Sequence, residues 1–451
     1  MSLPNELIVR DNVGMGTLDR LVVIFTKFIS LLSTMLGLGA GETWPGEIAL
    51  RLRPSITSVL VHKLPDGVIL VAGTNGKTTT SLMVKTILEH IGDTVVHNAT
   101  GANLLNGIVS SFIRNADWLG RVRADVGIFE IDENSLPVIL RYVSPKRIIL
   151  LNLFRDQLDR YGEVDVIVEK WIRALSKLPK DTVYILNGDD PGIAFIGAGV
   201  KGNIIYFGLQ DTSKYLGLRE HATDSTFCPW CGHRLTYDGV YYSHIGVWRC
   251  GTCGHRRPAP SVYKWPSTLP GLYNQYNTLA AVALAKSMQL SDTVIKKSLH
   301  SFTPAFGRQE EILAGGKTIK LFLSKNPAGF NASLRTVLEM GAQEFLIVLN
   351  DRIPDGRDVS WIWDVDFETI PDTATVLVSG DRAYDMALRM KYALVPDKKV
   401  TGKTPEPRVF PLLWDALTYA QTLRTDKPMY ILATYSAMLD VRKILKGRKI
   451  L

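Results

Sequence analysis

Short unbroken apolar runs alternate with stretches of helical periodicity over most of the chain. Val68 to Ala72 is one such run and ends at a glycine-rich turn; five apolar residues in a row fit a strand buried on both faces. The stretch after it, Thr78 to Ile91, carries Met83, Ile87 and Ile91 at helical spacing and stops at Gly92, which predicts a helix. Buried strands are expected again at Val126–Ile131, Arg147–Leu151 and Thr182–Leu186, and NTLAAVALAKSM (Asn277–Met288) reads as a helix. Strands separated by helices imply a parallel sheet covered on both faces, an α/β fold.

After FGRQE (Phe306–Glu310) a second series begins, with strands at Ile319–Leu323, Glu344–Leu349, Thr375–Val378 and Met429–Ala433 and helices after Asn331, Asp381 and Tyr435. It reads as a smaller, Rossmann-like α/β unit. The expected organisation is an apolar helical segment over 1–54 packed on a central domain over 55–312, with a C-terminal α/β domain over 313–451. Polar and Pro-rich flanks (Asp211–Asp224, Arg256–Pro266) bracket an insertion in the central domain at 224–260. At roughly 150 residues per domain, 451 residues are enough for three units with cores of their own.

The N-terminal apolar run, Leu21 to Ala40, is long enough to span a bilayer. Lys27 lies inside it, Ser and Thr interrupt it, and Trp44-Pro45-Gly46 follows, so the expectation is a helix packed on the protein or lying on a membrane surface. Glu6, Asp11 and Asp19 precede the run, unlike a secretory signal. A cytoplasmic protein follows, one that works at the inner face of the membrane.

The hydrophobic fraction of 46% and charged fraction of 21% are those of a globular protein and exclude extended disorder. The net charge of +8 suits an anionic partner such as a nucleotide, a nucleic acid, a phospholipid surface or a phosphorylated substrate. Its basic residues are scattered except at Arg442, Lys443, Lys446, Arg448 and Lys449, so a solvated basic surface describes them as well.

Every cysteine lies in the insertion. Cys228-Pro-Trp-Cys231 and Cys250-Gly-Thr-Cys253 are two C-x-x-C pairs with 18 residues between them, each followed by Gly and His (Gly232-His233, Gly254-His255). That is the spacing of a zinc ribbon, in which four thiolates close a structural tetrahedral site. His233 and His255 are expected beside the metal's ligands or on the surface. No cysteine is then left to act as a nucleophile.

Val71 stands where the longer phosphate-loop pattern wants its first glycine, leaving the shorter Gly73-Thr-Asn-Gly-Lys-Thr78. With a strand before and a helix after, the backbone N–H groups of Gly73, Thr74, Asn75, Gly76, Lys77, Thr78 and Thr79 can cradle phosphates. Lys77 reaches the β/γ oxygens and the Thr78 hydroxyl binds Mg2+. ATP is the expected nucleotide.

GTNGKTTT resembles the loop of the Mur ligases, which join cell-wall precursors by activating a carboxylate with ATP. Other segments match in order. FEIDEN places Glu130 where that family has a Mg2+-binding glutamate. LNLFRDQLDRYG resembles its N-x-x-x-D-H-L-D segment and LNGDDP (Leu186–Pro191) its nucleotide-contact turn. GLYNQYN (Gly271–Asn277) matches its adenine asparagines, and FGRQE supplies Arg308. The resemblance implies that Thr78 and Glu130 hold Mg2+, that Asn274, Asn277 and Arg308 fix the nucleoside, and that Asp189 contacts the ribose. Gln157 stands where the family has a metal-binding histidine, and Lys170 lies about where several relatives carry a carbamoylated lysine, or is simply a surface residue.

LSKNPAGFN (Leu323–Asn331) keeps only an Asn-Pro echo of the family's C-terminal domain, and NDRIPDGRDVSWIWD follows (Asn350–Asp364). With the four-cysteine insertion, this resembles one branch of the Mur ligases, synthetase subunits that amidate the D-glutamate α-carboxylate of the lipid II stem peptide. The resemblance implies an acyl phosphate intermediate and ammonia supplied by a glutamine amidotransferase partner, GatD, in a heterodimer. Glutamine hydrolysis uses a Cys nucleophile with a His base, and beyond His300 the chain has neither residue. An aspartate of the C-terminal loop would complete the partner's triad, Asp355 first, with Asp351 and Asp358 close behind; shaping a turn or pairing with Arg352 or Arg357 is the plainer role for each. Trp361 and Trp363 share a face if VSWIW is extended, as core or as a docking surface for the partner.

Competing functions remain in view: an ordinary amino-acid-adding ligase of the Mur or folylpolyglutamate type, a P-loop ATPase gripping nucleic acid with its ribbon, and a binding protein that uses ATP as a switch. The first adds an amino acid without a partner. A helicase-like ATPase calls for an arginine finger and aromatic-plus-basic stacking surfaces, and neither stands out.

Overall fold

The computed structural model describes residues 15–35, 43–98, 102–156, 164–217, 220–221, 223–304, 308–394, 406–423 and 426–447. Helices α1 (Thr17–Met35), α2 (Trp44–Leu52) and α3 (Ile56–Val61) come first. The central unit then runs β1 (Val68–Ala72), α4 (Lys77–His90), β2 (Val95–His97), α5 (Leu105–Asn115), β3 (Val126–Ile131), α6 (Leu136–Ile139), β4 (Arg147–Leu150), α7 (Val164–Leu175), β5 (Val183–Asn187), α8 (Pro191–Gly199) and β6 (Asn203–Phe207).

These strands form one parallel sheet in the order β2-β3-β1-β4-β5-β6. All five residues of β1 and all six of β3 are buried, as their apolar runs require. Because β1 lies between β3 and β4, the winding reverses beside it, and the crevice outside the strands' carboxyl ends is where such sheets take ligands. On one face, Val22, Val23, Ala49, Ile56 and Leu60 of the N-terminal helices join Ile108, Phe112 and Phe129 in a single core. The apolar N-terminal helix therefore packs on the central unit. No helix among the described residues is long and apolar enough to cross a membrane; residues 36–40 of the run lie outside them.

The opposite face is covered by α4 with α9 (Leu272–Ser287) and α10 (Asp292–His300). The insertion forms an antiparallel hairpin of β7 (Thr236–Tyr242) and β8 (Ile245–Arg249), and its Tyr241, Tyr242 and Ile245 sit in that second core.

The C-terminal unit is β9 (Arg308–Ala314), β10 (Lys317–Leu323), α11 (Pro327–Glu339), β11 (Glu344–Val348), β12 (Thr375–Ser379), α12 (Ala383–Ala393), β13 (Arg408–Val409), α13 (Leu413–Thr422), β14 (Met429–Ala433) and α14 (Tyr435–Lys446). Its sheet runs β13-β12-β11-β14-β10-β9 and is parallel except for β9 at the edge. Three expectations change. The boundary expected at 312/313 moves back to Arg308, because β9 hydrogen-bonds to β10 rather than to the central sheet. The helix expected after Asn331 begins at Pro327, where Asn326 caps it by accepting from the Gly329 N–H. VSWIW is not extended: Ser360–Asp364 is a 3-10 turn, so Trp361 and Trp363 part company. Trp361 lies against Phe330, and Trp363 lies half-exposed against Tyr392 and the Arg389 guanidinium.

Candidate active site

From Ala72 at the end of β1 the chain turns through Gly73 (φ 140°) and Gly76 (φ 90°) and enters α4 at Lys77. Both φ values lie where a side chain is strained. A Cβ on Gly76 would also fall 2.1 Å from Asn277 Oδ1. Gly76→Ala is therefore expected to weaken ATP binding at least about tenfold while the fold persists, read by calorimetric titration. Asn152, just after β4, braces the loop: its carbonyl accepts from Thr74 N–H (2.9 Å), its Oδ1 from Asn75 N–H (2.9 Å), and its Nδ2 donates to the Asn75 carbonyl (3.1 Å).

A buried cluster of charges lies at the first turn of α4. The Lys77 ammonium donates to the Gly73 carbonyl and to the Thr74 carbonyl (3.1 Å), and lies 3.4 Å from Glu133 Oε2. Glu130, paired beside Val71 through β3, accepts from Thr78 Oγ1 at 2.7 Å and Ser81 Oγ at 3.0 Å, and Arg308 Nη2 donates to Thr78 Oγ1 at 3.0 Å. Burial raises the Glu130 carboxyl, against the Arg308 charge and these hydroxyls. Burial also pushes Glu133 up, but the Lys77 and Lys325 ammoniums and its hydrogen bonds outweigh that and leave it lowered. The hydroxyls of Thr78 and Ser81 and both oxygens of Glu130 converge as a hard, all-oxygen set, the donors that Mg2+ takes. His97 ends β2 with Nε2 3.9 Å from Glu130 Oε1; burial, then Lys85 and Arg114, lower it to about 4 and keep it neutral.

These groups open into a cavity of about 380 Å³ walled by both α/β units. Of the residues singled out in the sequence, Thr74, Asn75, Gly76, Lys77, Thr78, Thr79, Glu130, Asn274, Asn277 and Arg308 line it. Gly73, which opens the loop, is not among the lining residues. Asn274 and Asn277, both buried, face each other on α9 (3.2 Å), and Asn277 Oδ1 accepts from Thr80 of α4. The far wall was less legible. Asn75 and Asn326 exchange side-chain hydrogen bonds at 3.2 Å, and Lys325 pairs with buried Asp156, so the two units meet across the loop. Asn326 is the Asn of the Asn-Pro echo, the one signal in the sequence that could have found this seam.

Asp189 is not in the cavity. It is fully buried behind β5, where Oδ1 pairs with Arg257 Nε (2.6 Å) and Oδ2 accepts from Tyr276 Oη (2.6 Å) and Leu209 N–H (2.8 Å). Burial pushes its carboxyl up to about 6 against those partners. It anchors the segment that leaves the ribbon, and the expected ribose contact is not seen. Lys170 is exposed on α7 and does not line the cavity, so the surface role fits it. Gln157 lies outside the described residues.

The three loop aspartates differ. Asp355, expected to serve a partner, is buried, with Oδ1 accepting from Ser436 N–H (2.8 Å) and Oδ2 from Ser436 Oγ. Burial raises it, against those bonds. Asp351 pairs with Arg382 at 3.0 Å, while Arg352 turns to Asp381 and Asp440 instead. Asp358 is exposed and is held below the usual carboxylate range by the Ser360 N–H it accepts at 2.8 Å. Asp355, expected first, is thus the most buried of the three, and Asp358 is the most exposed. It lines a second cavity of about 100 Å³ with Asp355 and Trp361, and this cavity shares Asp156 and Lys325 with the first.

The four cysteine sulfurs lie within 4.8 Å of one another, with Cys228–Cys253 at 3.6 Å and Cys231–Cys250 at 3.5 Å. Tetrahedral zinc with Zn–S of about 2.3 Å would hold sulfurs about 3.8 Å apart, so the donor set fits that ion. Gly232 (φ 74°) and Gly254 (φ 76°) close the two knuckles. His255 bonds Cys253 Sγ (3.2 Å) and stacks on Trp230, while His233 is exposed, as expected of both. Trp248 ties the ribbon to the central unit by donating to the Gly188 carbonyl (3.1 Å).

A parallel sheet with this short phosphate loop at its switch point, closed by a second α/β unit, defines a Mur-type ligase, an ATP-dependent class. The family model described as Mur ligase middle domain matches residues 71–285, and the solved pseudomurein peptide ligase type C of Methanothermus fervidus shares the fold. That structure has TM-score 0.64 and 22% identity, with 86% of this chain and 80% of that one covered. The family model described as MurT ligase C-terminal matches residues 323–438. Two curated relatives, each named lipid II isoglutaminyl synthase (glutamine-hydrolyzing) subunit MurT, are 34% identical in Staphylococcus aureus (strain COL) and 32% identical in Streptococcus pneumoniae (strain ATCC BAA-255 / R6). The first match covers 79% of this chain and 84% of the relative, the second 92% and 94%. The chain belongs to the MurT family.

Proposed function

We propose that the protein uses ATP to amidate the D-glutamate α-carboxylate of the lipid II stem peptide, with ammonia released from glutamine by a GatD-like partner, at the inner face of the membrane. The observation that carries this is the convergence of Lys77, Thr78, Glu130 and Arg308 on a cavity whose other wall is the MurT-type domain. The loop's N–H groups and Lys77 hold the triphosphate, and Asn274, Asn277 and Arg308 hold its nucleoside end. A carboxylate oxygen of the substrate attacks the γ-phosphorus as the bond to ADP breaks; ammonia then attacks the acyl carbon, and phosphate leaves with that oxygen. Mg2+, held by Thr78 and Glu130, would neutralise charge on the transferred group. Zn2+ in the four-cysteine ribbon is structural.

All four cysteines lie in the ribbon, so glutamine hydrolysis falls to a second chain. Asp358 orients that chain's histidine, and exposed Tyr384, Leu388 and Tyr392, one turn apart on α12 beside Trp363, form an apolar face for docking. Asp358→Asn is expected to lower glutamine-dependent amidation on the order of 10²–10⁴-fold and to leave ammonium-dependent amidation intact. Asp355→Asn instead lowers the melting temperature.

Purified protein given lipid II, ATP and either ammonium or glutamine tests the whole proposal. Amidation with ammonium alone, and with glutamine only after the partner is added, is expected. An appended amino acid, or no product in either case, overturns it.

A further inference from the structure

The outer face of α1 carries an apolar stripe that the fold leaves uncovered. Leu18, Leu21, Phe25, Phe28, Leu32 and Met35 are all exposed and follow one another at alternating spacings of three and four. They form one face of a helix, about 25 Å long at 1.5 Å per residue. The opposite face, Asp19, Val22, Val23 and Thr26, is buried against the central unit, so the helix is fixed with its stripe outward. Beside it, the loop before β3 adds exposed Trp118 and Leu119. Gly120 meets the Arg20 backbone, and the Lys27 ammonium donates to the Arg114 carbonyl (3.0 Å) and the Ala116 carbonyl while lying 5.5 Å from the Trp118 ring centre.

The rim of this face is basic. Arg20, Lys27, Arg121 and Arg123 border it, with Asp117, paired to Arg123, as the acid among them. An aromatic and aliphatic surface with a cationic border matches an anionic bilayer, whose headgroups take the charge and whose acyl boundary takes the stripe. A heptad-like stripe also suits a second helix, but a second copy would bring the same cations together. The helix is linked to the site by packing: α1 packs on α2, α2 on α5, and Asn103 and Leu104 at the head of α5 line the cavity.

We infer that α1 with the 116–123 loop is a membrane-docking face that seats the protein on anionic lipid. The inference rests on the reading of a lipid-linked substrate, to which such docking would bring the cavity.

The test uses the full chain with its partner subunit and vesicles of phosphatidylcholine, with or without phosphatidylglycerol. Co-sedimentation is expected with the anionic vesicles, declining as salt is raised, and not with the neutral ones. Phe25→Glu with Phe28→Glu, and separately Arg121→Glu with Arg123→Glu, are each expected to reduce binding at least about tenfold. Both leave the melting temperature and the amidation of a water-soluble stem-peptide substrate unchanged. No vesicle binding, binding indifferent to both pairs, or a stripe substitution that only turns an oligomer into a monomer overturns the inference. Failure of the parent protein to amidate lipid II would instead overturn the proposed function and leave the vesicle result standing by itself.

Discussion

Lys77→Ala is expected to lower ATP-dependent amide formation by about 10²–10³-fold, the effect of removing one fixed positive donor from a transferring phosphoryl group. Lys77 is buried at the first turn of α4, held over the cavity by the Gly73 and Thr74 carbonyls and by Glu133. The variant also changes stability in a way that depends on pH. In the parent, Glu133 is held below its ordinary value, so it contributes stability above the unfolded value that is lost as pH falls through the folded one. Without Lys77 the largest of the charges holding it down is gone, leaving Lys325 and the hydrogen bonds of Glu133 against its burial. The ionised carboxylate then stabilises the fold less near neutral pH, by about 1–3 kcal/mol, and the loss disappears as protonation sets in on acidification. Melting temperatures of parent and variant across that range check the sign: the gap between them should close on acidification. Turnover at the parent rate would show that the loop does not handle the reacting phosphate.

Stripping the ribbon of metal is expected to have the second large effect. Structural zinc contributes about 10–16 kcal/mol in isolated finger peptides, and the small core around Cys228, Leu235, Trp248 and Cys250 could not close alone. The damage should spread inward. Trp248 bonds the Gly188 carbonyl, and Arg257, just after the second knuckle, is the cation facing buried Asp189; without it that carboxylate is unpaired, at about 3–5 kcal/mol. Elemental analysis should find one zinc per chain, and Cys231→Ser with Cys253→Ser should abolish it and lower the melting temperature by many degrees. The near-ultraviolet signal of stacked Trp230 and Trp248 should fall as well. A variant of unchanged stability that carries no zinc would contradict a structural role.

The parts of the molecule that were legible in the sequence are those in which neighbouring residues fix each other. The β1–loop–α4 unit is an apolar run, two glycines and a helical stripe in direct succession, and the ribbon is two knuckles with a fixed gap. What stayed hidden depends on residues far apart in the chain. Asp355 and Asp358 look alike on their loop until Ser436 takes both oxygens of the first. Asp189 has the position of a nucleotide contact, after a buried strand, until Arg257 and Tyr276 close over it. Strand β9 opens with Arg308, Gln309, Glu310 and Glu311, too polar for a buried run, because it is an edge strand with one side toward the cavity and Arg442. Two tryptophans two residues apart fit a strand as well as a 3-10 turn, and Phe330 and Tyr392 decide between them only in three dimensions.

The central claim is that the terminal phosphoryl group is passed to a substrate carboxylate. Lipid II bearing 18O in the D-glutamate α-carboxylate tests it directly when ATP and ammonium are supplied. Amidation through an acyl phosphate must place one labelled oxygen in the released phosphate for each amide formed, seen by mass spectrometry. Amide product accompanied by unlabelled phosphate would contradict the account.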